Sequence, residues 1–438
     1  MTPPQRLPAR QPAENVASAP RGARRLSQIL GPGFITGACN DDPGSVGTYA
    51  QVGAQFGYGL AWTLLFTYPL LVAVQEISAR LGRVTGHGVA GNLQRHYPRW
   101  FALGLVGLLS VANIINLAAD LGAMGAVLKL LLEAPALLYV CLLGLVCVLF
   151  EVFTRYARYV RTLKWLSVSL LSYVLGAFVV DVPWSQVLHS LVWPPLSARP
   201  QYVTAVVAAL GTTITPYLIF WQAQQEVERS RHAAGAVPLL RDVAAAPAEF
   251  ARIRIDTVAG MALSSVIALF IVITTASTLH AHGVNTIESA AQAAEALRGV
   301  AGRFAFLVFA LGMIGAGLLA LPALSTSAAY ALGELLDWRV GRSHPPARAG
   351  AFYAVVAAAT AIGCALNFTS INPMRALYWS AVLNGVAAIP LMVALMRLAT
   401  RTSIMGSLTP PTTVRVLGWL ATAAMAVSVL AMIVSWLA

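Results

Sequence analysis

The sequence predicts an all-α integral membrane protein of eleven transmembrane helices, built as a 5+5 inverted repeat with broken helices 1 and 6 and an appended eleventh span. Three observations lead there. The 438-residue chain is 58% hydrophobic and only 11% charged, where soluble domains carry roughly 25% charged residues. Its basic residues alternate between connections, as they do in multi-pass proteins. Two of its apolar runs are interrupted near their midpoints by a proline inside a polar cluster, and the second comes five spans after the first. An odd number of spans per unit forces the second unit to run inverted relative to the first, with binding expected where the broken helices meet.

Residues 1–25 are rich in Pro, Ala and Arg and lack an apolar stretch of their own, which predicts a disordered cytoplasmic tail and not a cleaved signal peptide. At about 20 apolar residues per crossing, spans centre near residues 42, 70, 113, 143, 171, 215, 266, 318, 357, 384 and 425. The transporter core is expected over 26–398, with spans one to five at about 26–181 and spans six to ten at about 201–398. Between spans six and seven, residues at about 229–252 carry Pro238, Pro247 and several arginines, and read as a cytoplasmic linker. The connection near 182–200 holds Trp184 and Trp193 with Pro194 and Pro195, residues suited to the membrane interface. AAQAAEALRG, in the connection from 280 to 302, reads as a short amphipathic surface helix, and residues 399–438 supply a loop and the eleventh span.

The net charge of +12 follows from topology. Assigning connections alternately to the two sides puts 24 of the 29 Lys and Arg residues with the N-terminus. That bias predicts a multi-pass protein of the cytoplasmic membrane, N-terminus in the cytoplasm and C-terminus outside, and leaves no call for a nucleic-acid partner. The bilayer is the partner the composition implies.

GACNDDPGSVGT, residues 37 to 48, carries the first break and ALGTTITPYLIFWQAQQE, residues 209 to 226, the second. Proline removes a backbone donor and pushes the preceding residue out of helical geometry. Carbonyls freed in this way are tolerated at membrane depth only where they line a cavity or bind something. An aspartate near the bilayer centre adds roughly 2.5 to 3.5 kcal/mol on the insertion scale, so both features ask for a compensating cation. Asp42, Ser45, Thr48, Gln51 and Gln55 recur at spacings of three and four and share one helix face. Thr212, Thr213, Thr215 and Tyr217 surround Pro216, and Gln222 and Glu226 follow toward the cytoplasm. Asp42, Ser45 and Thr48 of the first break and Thr212, Thr213 and Thr215 of the second are the candidate metal ligands, a set that the resemblance given below narrows to Asp42, Ser45, Thr212 and Thr215. Asp41, Tyr217, Gln222 and Glu226 are candidates for an outer shell or vestibule, and the mid-span Asp120 for a relay or a structural partner.

All of these ligands are oxygens. The seven histidines fall in connections or at span ends, and no methionine lies in either broken span. Such a site favours hard dications, magnesium or manganese, over copper, zinc or iron. Cys39, beside the first break, is the one soft atom within reach.

GPGFITGACNDDPGSVGTYAQ and QEISARLGRVTG resemble the first and second spans of the natural-resistance-associated macrophage protein (Nramp) metal transporters, whose first-span signature is DPGN, and the similarity runs from about Gln28 through span ten. The resemblance implies a LeuT-like fold with divalent metal bound between spans one and six, no cofactor, and Asp42 as the liganding aspartate, with Ser45 where the family has asparagine. In span six many members have MPH, whose methionine sulfur selects transition metals, whereas Thr215, Pro216 and Tyr217 stand here. Thr212 falls where the family has a carbonyl-donating alanine. Two positions tied to proton transfer also differ, an acid aligning with Ala123 and a histidine with Gln222, although Asp120 retains the preceding acid. TITPYLIFWQAQQEVE and GLLALPALSTSAAYALGE look like the Nramp-related branch that includes magnesium transporters. That branch implies a wide cavity, a largely hydrated ion and no obligatory proton coupling, with Asn384 as a further outer-shell candidate near Ala381.

The function expected is uptake of a divalent cation by a secondary transporter, not an enzyme, with magnesium first and manganese second. The alternatives are a proton-coupled manganese or iron transporter of Nramp type and a sodium-coupled amino-acid symporter of the same architecture. From another class comes an intramembrane aspartyl hydrolase built on Asp42 and Asp120.

Overall fold

A computed structural model describes residues 31–437 apart from 155, 179, 194, 198, 233–235, 288–289, 342–343 and 370–372. The tail predicted over residues 1–25 lies outside the described residues. The first span is two helices, α1 (Pro32–Cys39) and α2 (Pro43–Phe56). Next come α3 (Ala61–Thr85), a short α4 (Val89–His96), α5 (Arg99–Leu132) and α6 (Ala136–Phe153). The fifth span is α7 (Tyr156–Leu166), a 3-10 turn at Ser167–Leu170, and α8 (Leu171–Phe178), with α9 (Trp184–Val192) in the connection that follows. The sixth is again two helices, α10 (Pro200–Thr213) and α11 (Pro216–His232). The remainder comprises α12 (Ala246–Thr278), α13 (Ala290–Leu335), α14 (Gly350–Leu366), α15 (Pro373–Thr400), α16 (Thr402–Met405) and α17 (Thr412–Leu437).

Among the described residues, 8 helices are long and apolar enough to cross a membrane. The first and fifth spans of the sequence reading are divided, and the ninth is a 17-residue apolar helix. Outward faces carry large apolar side chains such as Leu65, Phe66, Leu145 and Leu430, as contact with lipid requires. Two connections show how the expected elements are joined. AAQAAEALRG is helical, as expected, and this short helix at the start of α13 is set off from the eighth span by Gly302, where φ 83 and ψ 178 leave helical geometry. The linker expected at about 229–252 begins in the last turn of α11 and ends in the first turns of α12, with non-helical chain and a 3-10 turn at Val243–Ala245 between them.

Proline opens α2 and α11, at Pro43 and Pro216, the helix position where a missing N–H costs nothing. Both breaks therefore restart cleanly after a short interruption. α12 packs along α1, α2 and α3, and α5 along α13 and α15. The contact of α1 with α12 is backbone on backbone. A methyl added at Gly37 would overlap the Gly260 carbonyl, and one at Gly33 would stand 2.7 Å from the Thr257 amide. Small residues permit this approach in membrane helices, where close packing and hydrogen bonds replace the hydrophobic effect.

Candidate metal site between the broken spans

After Cys39 the chain turns through Asn40 and Asp41, and Asp42 takes extended geometry (φ −66, ψ 165) to cap α2. Its Oδ1 accepts from the Ser45 amide at 2.6 Å. Aspartate is favoured there both as an N-cap and as an anion at the positive end of the helix dipole. The Tyr217 hydroxyl reaches across from α11 to the Cys39 carbonyl at 2.9 Å and to Asp42 Oδ2 at 3.2 Å. Asp120, from α5, accepts from the Gly44 amide at 3.0 Å. Two carboxylates thus serve successive amides of one helix start.

In the sixth span α10 ends at Thr213, and Ile214 (φ −109, ψ 79) and Thr215 bridge to Pro216. The Ile214 amide still bonds to the Leu210 carbonyl at 2.9 Å. The carbonyls of Gly211 and Thr212 receive no hydrogen bond from the described residues. Between the breaks lies a cavity of about 30 Å³ lined by Asp42, Gly44, Ser45, Thr48, Asn116, Gly211, Thr212, Thr215 and Asn384. By water's dimensions that is room for one or two molecules. Thr215 Oγ1 and Asn384 Oδ1 are buried there without a hydrogen-bond partner, which leaves their lone pairs for a cation.

The four candidate ligands named from sequence, Asp42, Ser45, Thr212 and Thr215, all line this cavity, as does Asn384. Other expectations need correction. Glu226 is no vestibule residue: it is fully buried and paired with the Arg252 guanidinium of α12. Gln222 accepts from the Thr36 hydroxyl of α1, behind the cavity. Asp41 turns the opposite way from Asp42 and accepts from Ser264 on α12 at 3.1 Å. Tyr217 stays close, as a donor to Asp42 and not as part of the wall. Cys39 points its thiol at the Leu319 carbonyl, 3.4 Å away, so the one soft atom is turned from the site. Gln51 braces an outer connection, accepting from the Ile287 amide at 2.7 Å.

Sequence reasoning missed two groups. Asn116 of α5 lines the cavity and is held by the Ser380 hydroxyl; its place one turn before Asp120 on a mid-span face was the available signal. Asp256 of α12 caps α1, accepting from the amides of Gly31, Gly33 and Phe34 at 2.7, 2.9 and 2.9 Å. Arg252 lies 3.7 Å from Asp256 and also holds Glu226 and Glu249, and Glu249 reaches Arg83 of α3 at 3.3 Å. The ends of α1, α3, α11 and α12 on that side form one buried electrostatic network. No pattern within any single span announces it.

A family model described as "Natural resistance-associated macrophage protein-like" matches residues 33–435. The chain belongs to the Nramp family. It is therefore a multi-pass membrane transporter of a divalent-metal family and not an enzyme, and a bound metal is cargo. Among curated Nramp relatives, the divalent metal cation transporter MntH of Klebsiella pneumoniae strain 342 is 27% identical over 92% of this chain and 93% of its own length. A manganese transporter of Eremococcus coleocola, in its H236A form, superposes with a TM-score of 0.73 at 18% identity, covering 96% of this chain and 89% of that one. The nucleobase-cation-symport transporter MHP1 shares the architecture more loosely, at a TM-score of 0.55 and 16% identity over 93% and 92% of the two chains. These superpositions establish the LeuT-like Nramp fold. Among the described residues no group of three or more His, Cys, Asp or Glu gathers as a metal cluster, and the cavity wall holds one acid, Asp42, among neutral oxygens.

Proposed function

We propose that this Nramp-family protein carries magnesium across the cytoplasmic membrane into the cell, with manganese the second choice, and without obligatory proton coupling. The observation that carries the reading is the wall of the cavity: Asp42 with Ser45, Thr48, Thr212, Thr215, Asn116 and Asn384, and no sulfur or imidazole among the described residues. Hard oxygen donors suit magnesium, which dehydrates reluctantly and keeps waters when bound. In this conformation the cavity takes an ion with one water at most, so a largely hydrated ion would enter through a wider, open form and shed water as the breaks close around it.

Asp42 supplies the charge and Ser45, Thr212 and Thr215 the first neutral oxygens, while Asn116 and Asn384 serve an outer shell. The freed carbonyls of the sixth-span break add negative potential without adding a group to titrate. The N-terminus is read as cytoplasmic from the charge bias. On that reading the network around Arg252 closes the inner side, and release requires α1 to leave α12. Inward movement of a dication through about 100 mV is worth roughly 4.6 kcal/mol, which supports about a thousandfold accumulation. The membrane potential alone suffices.

A second reading, proton-coupled manganese uptake, draws on the names of the relatives and on Asp120 at the start of α2. The amino-acid symporter is disfavoured by Asp42, which repels a substrate carboxylate. One experiment separates the readings: metal-competition uptake into proteoliposomes at two pH values. Magnesium-inhibited uptake with no proton movement supports the proposal, whereas manganese-only uptake that acidifies the lumen sinks it.

A further inference from the structure

A groove of about 500 Å³ runs along the outer face of the fifth span, lined by Ala157, Val160, Arg161, Lys164, Trp165 and Val168. Its volume falls within the range of small-molecule sites. All six residues lie at spacings of three and four, one stripe of α7 continuing into the 3-10 turn. The stripe sorts into two kinds of surface. Two cations sit one turn apart, and Val160 and Val168 continue the line as hydrocarbon. Arg161 is exposed and forms no ion pair with a described residue. Trp165 is 72% exposed beside them, where an indole marks the level of lipid headgroups.

A second groove repeats the chemistry elsewhere. Where the start of α17 meets the end of α15, about 600 Å³ is lined by Thr400, Arg415, Val416, Trp419, Leu420 and Ala423. Again a guanidinium, an indole one turn on, and an aliphatic stripe share one helix face. Both grooves lie at basic span ends that the charge bias assigns to the same side. A soluble ligand has no use for the half-exposed valines and leucines, whereas a lipid uses both surfaces together.

We infer that the α7 groove binds an anionic phospholipid of that leaflet, its phosphate diester on Arg161 and Lys164 and its acyl chain along Val160 and Val168, with the α17 groove a weaker site of the same kind. Guanidinium pairs with phosphate through two parallel N–H bonds and lysine contributes a point charge. Basic pockets between membrane helices select anionic headgroups for this reason.

The test is native mass spectrometry of the full chain in detergent, titrated with dioleoylphosphatidylglycerol, dioleoylphosphatidylcholine or inorganic phosphate. The anionic lipid should bind roughly tenfold to thirtyfold more tightly than the zwitterionic one. The double variant Arg161→Gln, Lys164→Gln should lose most of that preference, and Arg415→Gln a smaller part. Equal affinity for the two lipids overturns the inference, as does a double variant that keeps the full preference. Displacement of phosphatidylglycerol by millimolar inorganic phosphate also overturns it, since the site would then read a free anion. The wild-type comparison decides even where a variant unfolds, and Arg161→Lys, which keeps the charge but not the paired N–H bonds, should keep more of the preference than Arg161→Gln.

Discussion

The two broken spans look alike in sequence, yet the structure spends their polar atoms differently. In the first, the carboxylates and the freed carbonyl are held from other helices: Asp42 caps α2, Cys39's carbonyl takes the Tyr217 hydroxyl, Asp41 takes Ser264 and Asp256 holds the start of α1, while Asn40 Oδ1 and the second Asp41 oxygen stay without a partner among the described residues, on the side away from the cavity wall. In the sixth, Thr215 Oγ1 has no partner and the carbonyls of Gly211 and Thr212 are left over. The first break supplies the charge and is anchored from every side. The second supplies uncommitted oxygens. A hard-cation site needs both, since a lone charge is costly in the membrane and loose dipoles alone attract too weakly.

The largest effect is expected at the charge of the first break. Asp42→Asn should abolish metal uptake in proteoliposomes while leaving the cap to Ser45 in place, because asparagine also caps well; transport at the wild-type rate would end the assignment. Anchoring of the first break is tested by Gly37→Ala, whose methyl overlaps the Gly260 backbone. Overpacking of this kind costs about 1–3 kcal/mol, seen as a lowered melting temperature in detergent, and the same change at Gly47, where a methyl meets nothing within 4 Å, is the control.

Openness of the sixth break is sharpened by Thr215→Met. A thioether in the cavity should shift competition toward cadmium or manganese by about tenfold, from the preference of soft metals for sulfur, and unchanged selectivity would mean that residue 215 does not face the ion. Tyr217→Phe removes one donor shared between the breaks. The expected loss is a few-fold in apparent affinity, on the scale of a single hydrogen bond of about 1 kcal/mol.

The smallest effect lies outside both breaks. Burial, followed by the guanidinium groups of Arg95 and Arg231, pushes His87 from 6.5 down to about 4. The unfolded chain therefore takes up this proton first as pH falls. The contribution of neutral His87 to stability is complete above pH 6.5 and is lost progressively toward pH 4. Melting curves of the wild type and His87→Gln should converge across that window.

Much of this was legible beforehand because it is local. A proline beside acids or threonines inside an apolar run can be read without knowing its neighbours, and that reading with the Nramp resemblance singles out Asp42, Ser45, Thr212 and Thr215. Partners from distant spans were not legible. Glu226 looks like a solvated acid near a span end until Arg252, 26 residues on, folds back to it. Asp41 and Asp42 are indistinguishable as letters, and only the turn after Cys39 sends one to α12 and the other to the cavity. The fifth span reads as one apolar rod, and the 3-10 turn at Ser167–Leu170 divides it.

One consequence concerns how the chain is made. α1 has 8 residues, too few to hold helical form alone, and the carboxylate that satisfies its first amides lies 225 residues downstream of Gly31. Chains emerge from the ribosome N-terminus first, so about half of the sequence is made between Gly31 and the carboxylate that caps it. The last assembly step of the first span is accordingly set by delivery of the seventh, and a ribosome stalled before Asp256 should leave α1 open to protease.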